Sequence, residues 1–305
     1  MFNVDFVFPY VNPNDPIWLG RYKYCAGKNF SKNDERFRDF SLLKYIFRSI
    51  ELYTDFINRV IMIVSDESQV PDFLRRDYYR LRIVKHEDFI PKEFLPTFNS
   101  NTIELFIPNI QGLEQHFLYS NDDLLFVNKT YITDFYDKLD RALIAYVPYN
   151  TQSPKGFKQS VMNTWTTATN YFNRTLNLKK PFTFIKQSHG AASPRLLSEC
   201  KACFKNLEPQ ILDSLTMFRN TNRNLNQYLY GYYSLLNNTS AYTNPNKVGF
   251  YTSAEDGLSK IRNIIQNCPT KMLCLNDTTA MTDDMIQEIY KELDKRFANK
   301  SSFEI

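Results

Sequence analysis

Asp122 and Asp123 stand side by side in HFLYSNDDLLF, residues 116–126, directly after an apolar run. Adjacent carboxylates repel each other, so a pair at the end of a predicted strand indicates a positively charged or proton-donating partner. One Asp could bind a hard divalent cation that bridges carboxylate and phosphate, while the other accepts a proton. The alternative is an Asx turn that caps the strand and leaves both carboxylates in solvent.

A second polar group precedes a predicted helix in TFNSNTIEL, residues 97–105. Asn99, Ser100 and Asn101 precede the expected helix, and the backbone N–H groups and dipole at a helix start favour an anion. The alternative is a capping box that pairs Asn101 with Glu104. The two interpretations are compatible, because a capped helix can still present its first turn to phosphate.

Candidate groups in the second half of the chain are more scattered. His189 lies in the small-residue segment KQSHGAASPR, where an imidazole could reach a ligand; a structural histidine is the alternative. Arg219 could hold phosphate with its planar guanidinium, or could be a solvated residue at a helix end. Asn276 and Asp277, in CLNDTT, could supply further oxygen ligands or lie in an N-cap region.

Strand and helix patterns that would position these residues alternate over the first 135 residues. Apolar runs predict strands over 4–11, 59–65, 81–88 and 116–120, and helical spacing predicts a helix over 40–53. Strands joined by helical or irregular crossovers predict an α/β fold, with a mainly parallel sheet flanked by helices. The strands end in NPND, SDES, HED and SNDD, at the edge where open α/β sheets bind ligands.

The second half has a different character. Its apolar periodicity predicts helices over 160–176, 193–207, 225–236 and 284–297. Thr282 or Asp283 would cap the last of them. We therefore expect an α/β core over residues 1–145 and a mostly helical part over 146–305, packed together as one compact unit that completes the site.

Composition argues against several classes of protein. A formal charge of +4 over 305 residues is too small for a dedicated nucleic-acid binder, and 15% aromatic residues argue against disorder. No apolar run is long enough to span a bilayer, and we recognise no leader sequence. The five cysteines are an odd number, which argues against a disulfide framework and for a reducing compartment. We expect a cytoplasmic protein with at most peripheral membrane contact, its basic C-terminal helix being a solvated or lipid-facing surface.

Together these segments resemble the Stealth family, which includes bacterial capsular polysaccharide phosphotransferases and the catalytic subunit of the animal lysosomal-enzyme N-acetylglucosamine-1-phosphotransferase. Four blocks match in order: 4–18, 36–126, HGAASPRLL with the downstream FRNTNRNLNQYLYGYY, and 271–279. The resemblance implies a Rossmann-like, glycosyltransferase-A-like nucleotide-binding fold. It also implies transfer of a sugar 1-phosphate from a UDP-sugar to a hydroxyl of a second saccharide, free or lipid-linked, with UMP as leaving group.

In the resemblance Asp122 and Asp123 match the paired acids of the family, and we assign roles to these and the other matching residues. Asp123 would be the base, and Asp122 with Asp277 would hold Mg²⁺ or Mn²⁺, although the division of roles between the adjacent Asp residues stays open. His189 and Arg219 would stabilise charge on the transferred phosphate and on UMP.

Candidate substrate-binding residues come from all parts of the chain. They are Asn12, Asp15, Arg38, Ser100, Asn101, Glu104, Asn121 and Asn276. Asn12 and Asp15 follow the first strand and would meet uridine or ribose, or would serve turn chemistry instead. Ala191 stands where the family often has Pro, which leaves the geometry of the His189 loop open.

Two other functions remain as alternatives. A metal-dependent glycosyltransferase would move the sugar without its phosphate and release UDP, but the third and fourth blocks argue against it. A non-catalytic carbohydrate-binding component would be free to lose Asp122, Asp123, His189 and Arg219, and all four are present.

Overall fold

The computed structural model describes residues 2–27, 42–148, 155–176 and 185–305. Within them the strands are β1 Val4–Pro9, β2 Ile57–Val64, β3 Leu81–Lys85, β4 His116–Tyr119, β5 Leu124–Phe126, β6 Ala142–Pro148, β7 Ile185–Gln187, β8 Ser193–Leu196, β9 Ser240–Thr243, β10 Gly249–Ser253 and β11 Met272–Asn276. The α-helices are α1 Pro16–Ala26, α2 Leu43–Tyr53, α3 Ser100–Phe106, α4 Phe157–Leu176, α5 Leu197–Ser214, α6 Tyr228–Leu236, α7 Pro245–Val248, α8 Leu258–Asn267 and α9 Asp283–Arg296. The candidate residue Arg38 lies outside the described residues.

The central sheet has five strands in the order β3-β2-β1-β4-β8. Strand β1 pairs in parallel with β2 and β4, and β2 pairs in parallel with β3, whereas β8 runs antiparallel to β4. Val, Ile, Met and Phe side chains of β1 and β2 are fully buried, as expected of central parallel strands covered on both faces. The predicted α/β fold with a mainly parallel sheet is confirmed.

Helix α2 illustrates how the sequence pattern produces the packing. Tyr45, Ile46, Phe47 and Ile50 have no exposed surface, and their spacing puts them on the buried side of the helix. The hydroxyl of Ser49 accepts a 3.1 Å hydrogen bond from the backbone of β5. The helix is thereby fixed over the strand that follows the Asp pair.

The predicted helix over 193–207 is wrong in its first four residues. Residues 193–196 form β8, which pairs with β4 so that His116 lies opposite Leu196, and the helix begins at Leu197. An edge strand elsewhere in the chain offers this segment a partner that local periodicity cannot reveal. Likewise the strand predicted over 81–88 ends at Lys85, because the next three residues form a 3₁₀ turn.

Strands on both sides of residue 145 pair with one another. Two further three-stranded sheets have the orders β10-β11-β5 and β7-β6-β9. The antiparallel pairing of β5 with β11 sets Leu124 opposite Cys274. This pairing brings the segment after the Asp pair beside the strand that carries Asn276.

The C-terminal helix α9 is capped by Thr282, whose side chain accepts from the backbone N–H of Met285. Its basic residues contact the protein itself. Lys291 and Lys295 pair with acidic residues one turn earlier, and Arg296 donates to the backbone carbonyl of Gln266 at 2.9 Å. No helix in the described ranges combines the length and apolar character needed to cross a bilayer.

We expect Arg48→Met to lower the free energy of unfolding by about 3 kcal/mol, because it leaves the nearly enclosed carboxylate of Glu304 without its bidentate partner. Burial alone would raise the pKa of Glu304, but hydrogen bonds from Arg48 and Ser301 outweigh it and lower that pKa. The pair therefore stabilises the fold above about pH 4.5, and this contribution is lost as pH falls through the lowered pKa.

Urea unfolding at pH 7 and at pH 4 measures both effects. The control is Arg76→Met, which breaks the ion pair between Arg76 and Glu67, whose side chains are 44% and 63% exposed. We expect this variant to lower the free energy of unfolding by less than about 1 kcal/mol. Equal losses for the two variants would contradict the prediction.

Candidate active site

A cavity of about 1180 Å³ opens at the carboxyl ends of the parallel strands. Its wall includes Tyr10 after β1, Ser65 after β2, His86 after β3 and the turn 120–123 after β4. The strand ends that the sequence predicted to converge therefore do so. This is the edge at which open α/β sheets bind ligands.

Most of the candidate site residues line this one cavity. They are Ser100, Asn101, Glu104, Asn121, Asp122, Asp123, His189, Arg219, Asn276 and Asp277. Asn12 and Asp15 are not part of its wall. Asp15 caps α1 by accepting from the backbone of Ile17 at 3.1 Å, and it also accepts from Gln69 at 2.7 Å. These two positions thus serve the turn chemistry that was their alternative interpretation.

The two adjacent Asp residues lie in different environments. Asp122 is exposed, whereas Asp123 is partly buried and its Oδ1 atom is enclosed with no hydrogen-bond partner among the described residues. Its Oδ2 atom accepts from the Cys274 thiol at 3.3 Å. Burial raises the pKa of Asp123 to about 6, although the thiol and a backbone N–H oppose the shift. Such a carboxylate can accept and return a proton near neutral pH.

His189 is held by a hydroxyl group and by aromatic rings. Its Nδ1 atom lies 2.9 Å from the hydroxyl oxygen of the buried Tyr228. The Phe157 ring stacks on the imidazole, with the ring centroids 5.2 Å apart. Both neighbours belong to the first turns of helices, α6 and α4, so the imidazole is positioned by two separate elements.

The loop that carries His189 packs directly against β10. A Cβ atom on Gly249 would lie 2.0 Å from the carbonyl oxygen of Gly190, so this approach of two backbones requires glycine. Ala191, at the position where the family often has Pro, is buried and lines the cavity. The loop therefore presents His189 to the cavity without that Pro.

Arg219 and the start of α3 form another part of the wall. Arg219 donates to the Ser100 hydroxyl at 2.6 Å. The predicted capping box is wrong, because Asn99 caps α3 by accepting from the backbone of Asn101, which leaves Glu104 free of that role. Glu104 is buried in the wall; burial raises its pKa, and the charge of Arg219 opposes the shift.

The donor set suits a hard divalent cation. The carboxylates of Asp122 and Asp277 line the same cavity, beside the enclosed Oδ1 atom of Asp123. Mg²⁺ usually takes one or two protein carboxylates and completes its coordination with phosphate oxygens and water. The described ranges contain no group of three or more His, Cys, Asp and Glu side chains that could hold a metal by themselves. A cation here would therefore need ligands from the substrate.

Several wall residues carry no signal in the sequence. Lys155 and Lys158 bring positive charge to the cavity at the start of α4, and Gln227 and Tyr228 line it at the start of α6. The periodicity of these segments predicts helices but not which helix end meets the cavity. Their contribution depends on how the second half packs onto the sheet.

Comparisons with known proteins identify the family of the chain. Residues 36–143 match the family model described as Stealth protein CR2, conserved region 2. The chain is 33% identical over 337 residues to the capsular polysaccharide phosphotransferase WcwK of Streptococcus pneumoniae, with 99% of each chain covered. The chain belongs to the Stealth family. That prediction from the sequence is confirmed.

Other relatives also match the chain over nearly its whole length. The exopolysaccharide phosphotransferase cps2G of Lactiplantibacillus plantarum is 29% identical over 332 residues, which cover 99% of this chain and 96% of the relative. The receptor polysaccharide phosphotransferase WefC of Streptococcus oralis is 27% identical over 342 residues, covering 100% of both. All three relatives are named as phosphotransferases, and the prediction of an enzyme of this class is confirmed.

Proposed function

We propose that this Stealth protein transfers a sugar 1-phosphate from a UDP-sugar to a hydroxyl of a saccharide acceptor. The products would be a phosphodiester and UMP, and the pathway would be synthesis of capsular or other cell-surface polysaccharide. One observation carries the proposal: Asp123, His189 and Arg219 line a single large cavity in a chain whose full-length relatives are named polysaccharide phosphotransferases.

In the proposed reaction the acceptor hydroxyl attacks the phosphorus atom that carries the donor sugar, in line with the bond to UMP. Asp123 takes the hydroxyl proton, the new O–P bond forms, the P–O bond to UMP breaks, and its electron pair leaves with UMP. The pKa of Asp123, which burial raises to about 6, supports this role because such a carboxylate can take a proton near neutral pH. Phosphoryl transfer otherwise needs mainly positioning and neutralisation of charge.

His189 and Arg219 would stabilise the charge that develops on phosphate and UMP. Burial raises the pKa of Tyr228, so its hydroxyl keeps its proton, and in this proposal it would donate that proton to Nδ1 of His189, 2.9 Å away. In that tautomer the Nε2 atom would carry the ring proton and would donate to a phosphate oxygen. Arg219, positioned by Ser100, would bind phosphate through its guanidinium fork.

Asp122 and Asp277 would hold Mg²⁺ or Mn²⁺, whose charge would offset that of the diphosphate. We place the enzyme in the cytoplasm, since all five cysteines are free thiols, as is usual in a reducing compartment. A lipid-linked acceptor would be reached by peripheral contact at the inner face of the plasma membrane.

The identity of the nucleotide product tests the proposal. Purified protein would be incubated with Mg²⁺, UDP-N-acetylglucosamine and an oligosaccharide mixture, then with other UDP-sugars, and the nucleotides would be separated by chromatography. We expect UMP in the presence of acceptor, and its loss on addition of EDTA. Release of UDP instead would identify a conventional glycosyltransferase and overturn the proposal.

A further inference from the structure

Arg195 is a buried cation that the mechanism above does not use. Arg195 lies on β8 and is 3% exposed. Its guanidinium donates to the side-chain oxygens of Gln187 at 2.9 Å and Gln227 at 2.6 Å. It also donates to the carbonyl of Pro194, while its Nε atom is enclosed without a partner. The arginine ion pairs found among the described residues involve other arginines. A buried charge without a counter-charge is costly, so this position favours an anion nearby.

The two glutamine partners of Arg195 separate it from the cavity. Gln187, Gln227 and Ser193 all line the cavity wall. A guanidinium has only donors, so the side-chain oxygens of Gln187 and Gln227, rather than their amide nitrogens, must face Arg195. The amide nitrogens must then point elsewhere.

Those nitrogens bring donors to the cavity. The Nε2 group of Gln227 has no hydrogen-bond partner among the described residues and is not enclosed, so it can donate to a ligand. The Nε2 group of Gln187 donates to the Ser193 hydroxyl oxygen, which leaves the hydroxyl proton of Ser193 for a ligand. Two donors therefore face the cavity, with a positive charge directly behind them.

We infer that Gln227 and Ser193 form an anion subsite that binds a phosphoryl oxygen of the nucleotide ligand. Arg195 orients the donors of this subsite and supplies its positive charge. The identification of that anion as a nucleotide phosphate rests on the proposed function. Arg195 is a positioning residue, because it contacts the amide oxygens rather than the ligand. The subsite adjoins His189 through Tyr228, the residue that follows Gln227. On its other side the backbone N–H of Gln227 donates to Glu104 at 3.4 Å.

Titration calorimetry of the full chain with UDP, inorganic pyrophosphate and uridine tests the subsite. We expect Gln227→Leu to weaken binding of UDP and pyrophosphate by about 10- to 100-fold, because a hydrogen bond to a charged group is lost. Uridine binding should be unchanged. The control is Gln115→Leu, which removes a glutamine that hydrogen-bonds Ser198 outside the cavity wall.

Variants of Arg195 separate charge from structure. Arg195→Lys should retain most of the preference for UDP over uridine, whereas Arg195→Gln should lose it. The subsite is overturned if Gln227→Leu leaves the affinity for UDP unchanged, or if it lowers the affinities for UDP and uridine equally. It is also overturned if the wild-type chain binds neither UDP nor pyrophosphate. If the wild type prefers UDP, Gln227→Leu abolishes that preference, and no UMP forms from any UDP-sugar, the subsite stands and the proposed function fails.

Discussion

Asp123→Asn should reduce sugar-phosphate transfer by about 10²- to 10⁴-fold, the usual contribution of a general base, with little change in the affinity for UDP. Asn keeps the size of the side chain and can still accept from the Cys274 thiol, but it cannot take a proton from the acceptor. Burial raises the pKa of Asp123, so keeping its carboxylate ionised at neutral pH lowers the free energy of unfolding of the wild type. The variant should therefore be at least as stable as the wild type, and thermal unfolding should exclude misfolding as the cause.

Asp122→Asn is the matched control, since it makes the same chemical change one residue away at an exposed side chain. If Asp122 holds the cation, its variant should regain activity as Mg²⁺ is raised, whereas Asp123→Asn should not. Initial rates over a Mg²⁺ series measure this difference. A reversed pattern would exchange the two roles, and equal recovery of both would contradict a base at Asp123.

The edge of the sheet was predictable because local features determine it. A buried parallel strand needs a continuous apolar run, and polar residues directly after it mark the strand end. The segments ending before Asn12, Asp66 and Asn121 have this form. Since neighbouring parallel strands end at the same edge, their convergence on one cavity follows without knowledge of the second half.

The part of the wall contributed by the second half could not be predicted in this way. Arg195 lies in a segment whose periodicity indicates a helix, yet pairing with β4 makes it a strand and buries the guanidinium. Asn99, Ser100 and Asn101 are all good capping residues, so composition could not show that Asn99 is the cap. Both residues have partners distant in sequence: Arg195 lies in a strand paired with β4, and the amide nitrogen of Asn99 donates to Asn224 at 3.1 Å.

His189→Asn should lower kcat for UMP release by about 10²- to 10³-fold, the usual effect of removing a donor that stabilises developing charge. Tyr228→Phe should have a smaller effect, about two- to tenfold, because the imidazole remains while the hydrogen bond that orients it is lost. The control Tyr233→Phe removes a hydroxyl from the same helix, one that accepts from Asn206 at 2.7 Å away from the cavity wall. It should leave kcat unchanged.

A double variant distinguishes a residue that acts through His189 from one that acts on the substrate directly. If Tyr228 only fixes the imidazole, adding Tyr228→Phe to His189→Asn should cost nothing further, because the hydrogen bond is already gone. Additive losses would instead place the Tyr228 hydroxyl in contact with the substrate, which its position in the cavity wall permits. Equal rates for Tyr228→Phe and the wild type would show that Phe157 and the Gly190–Gly249 contact suffice to position the imidazole.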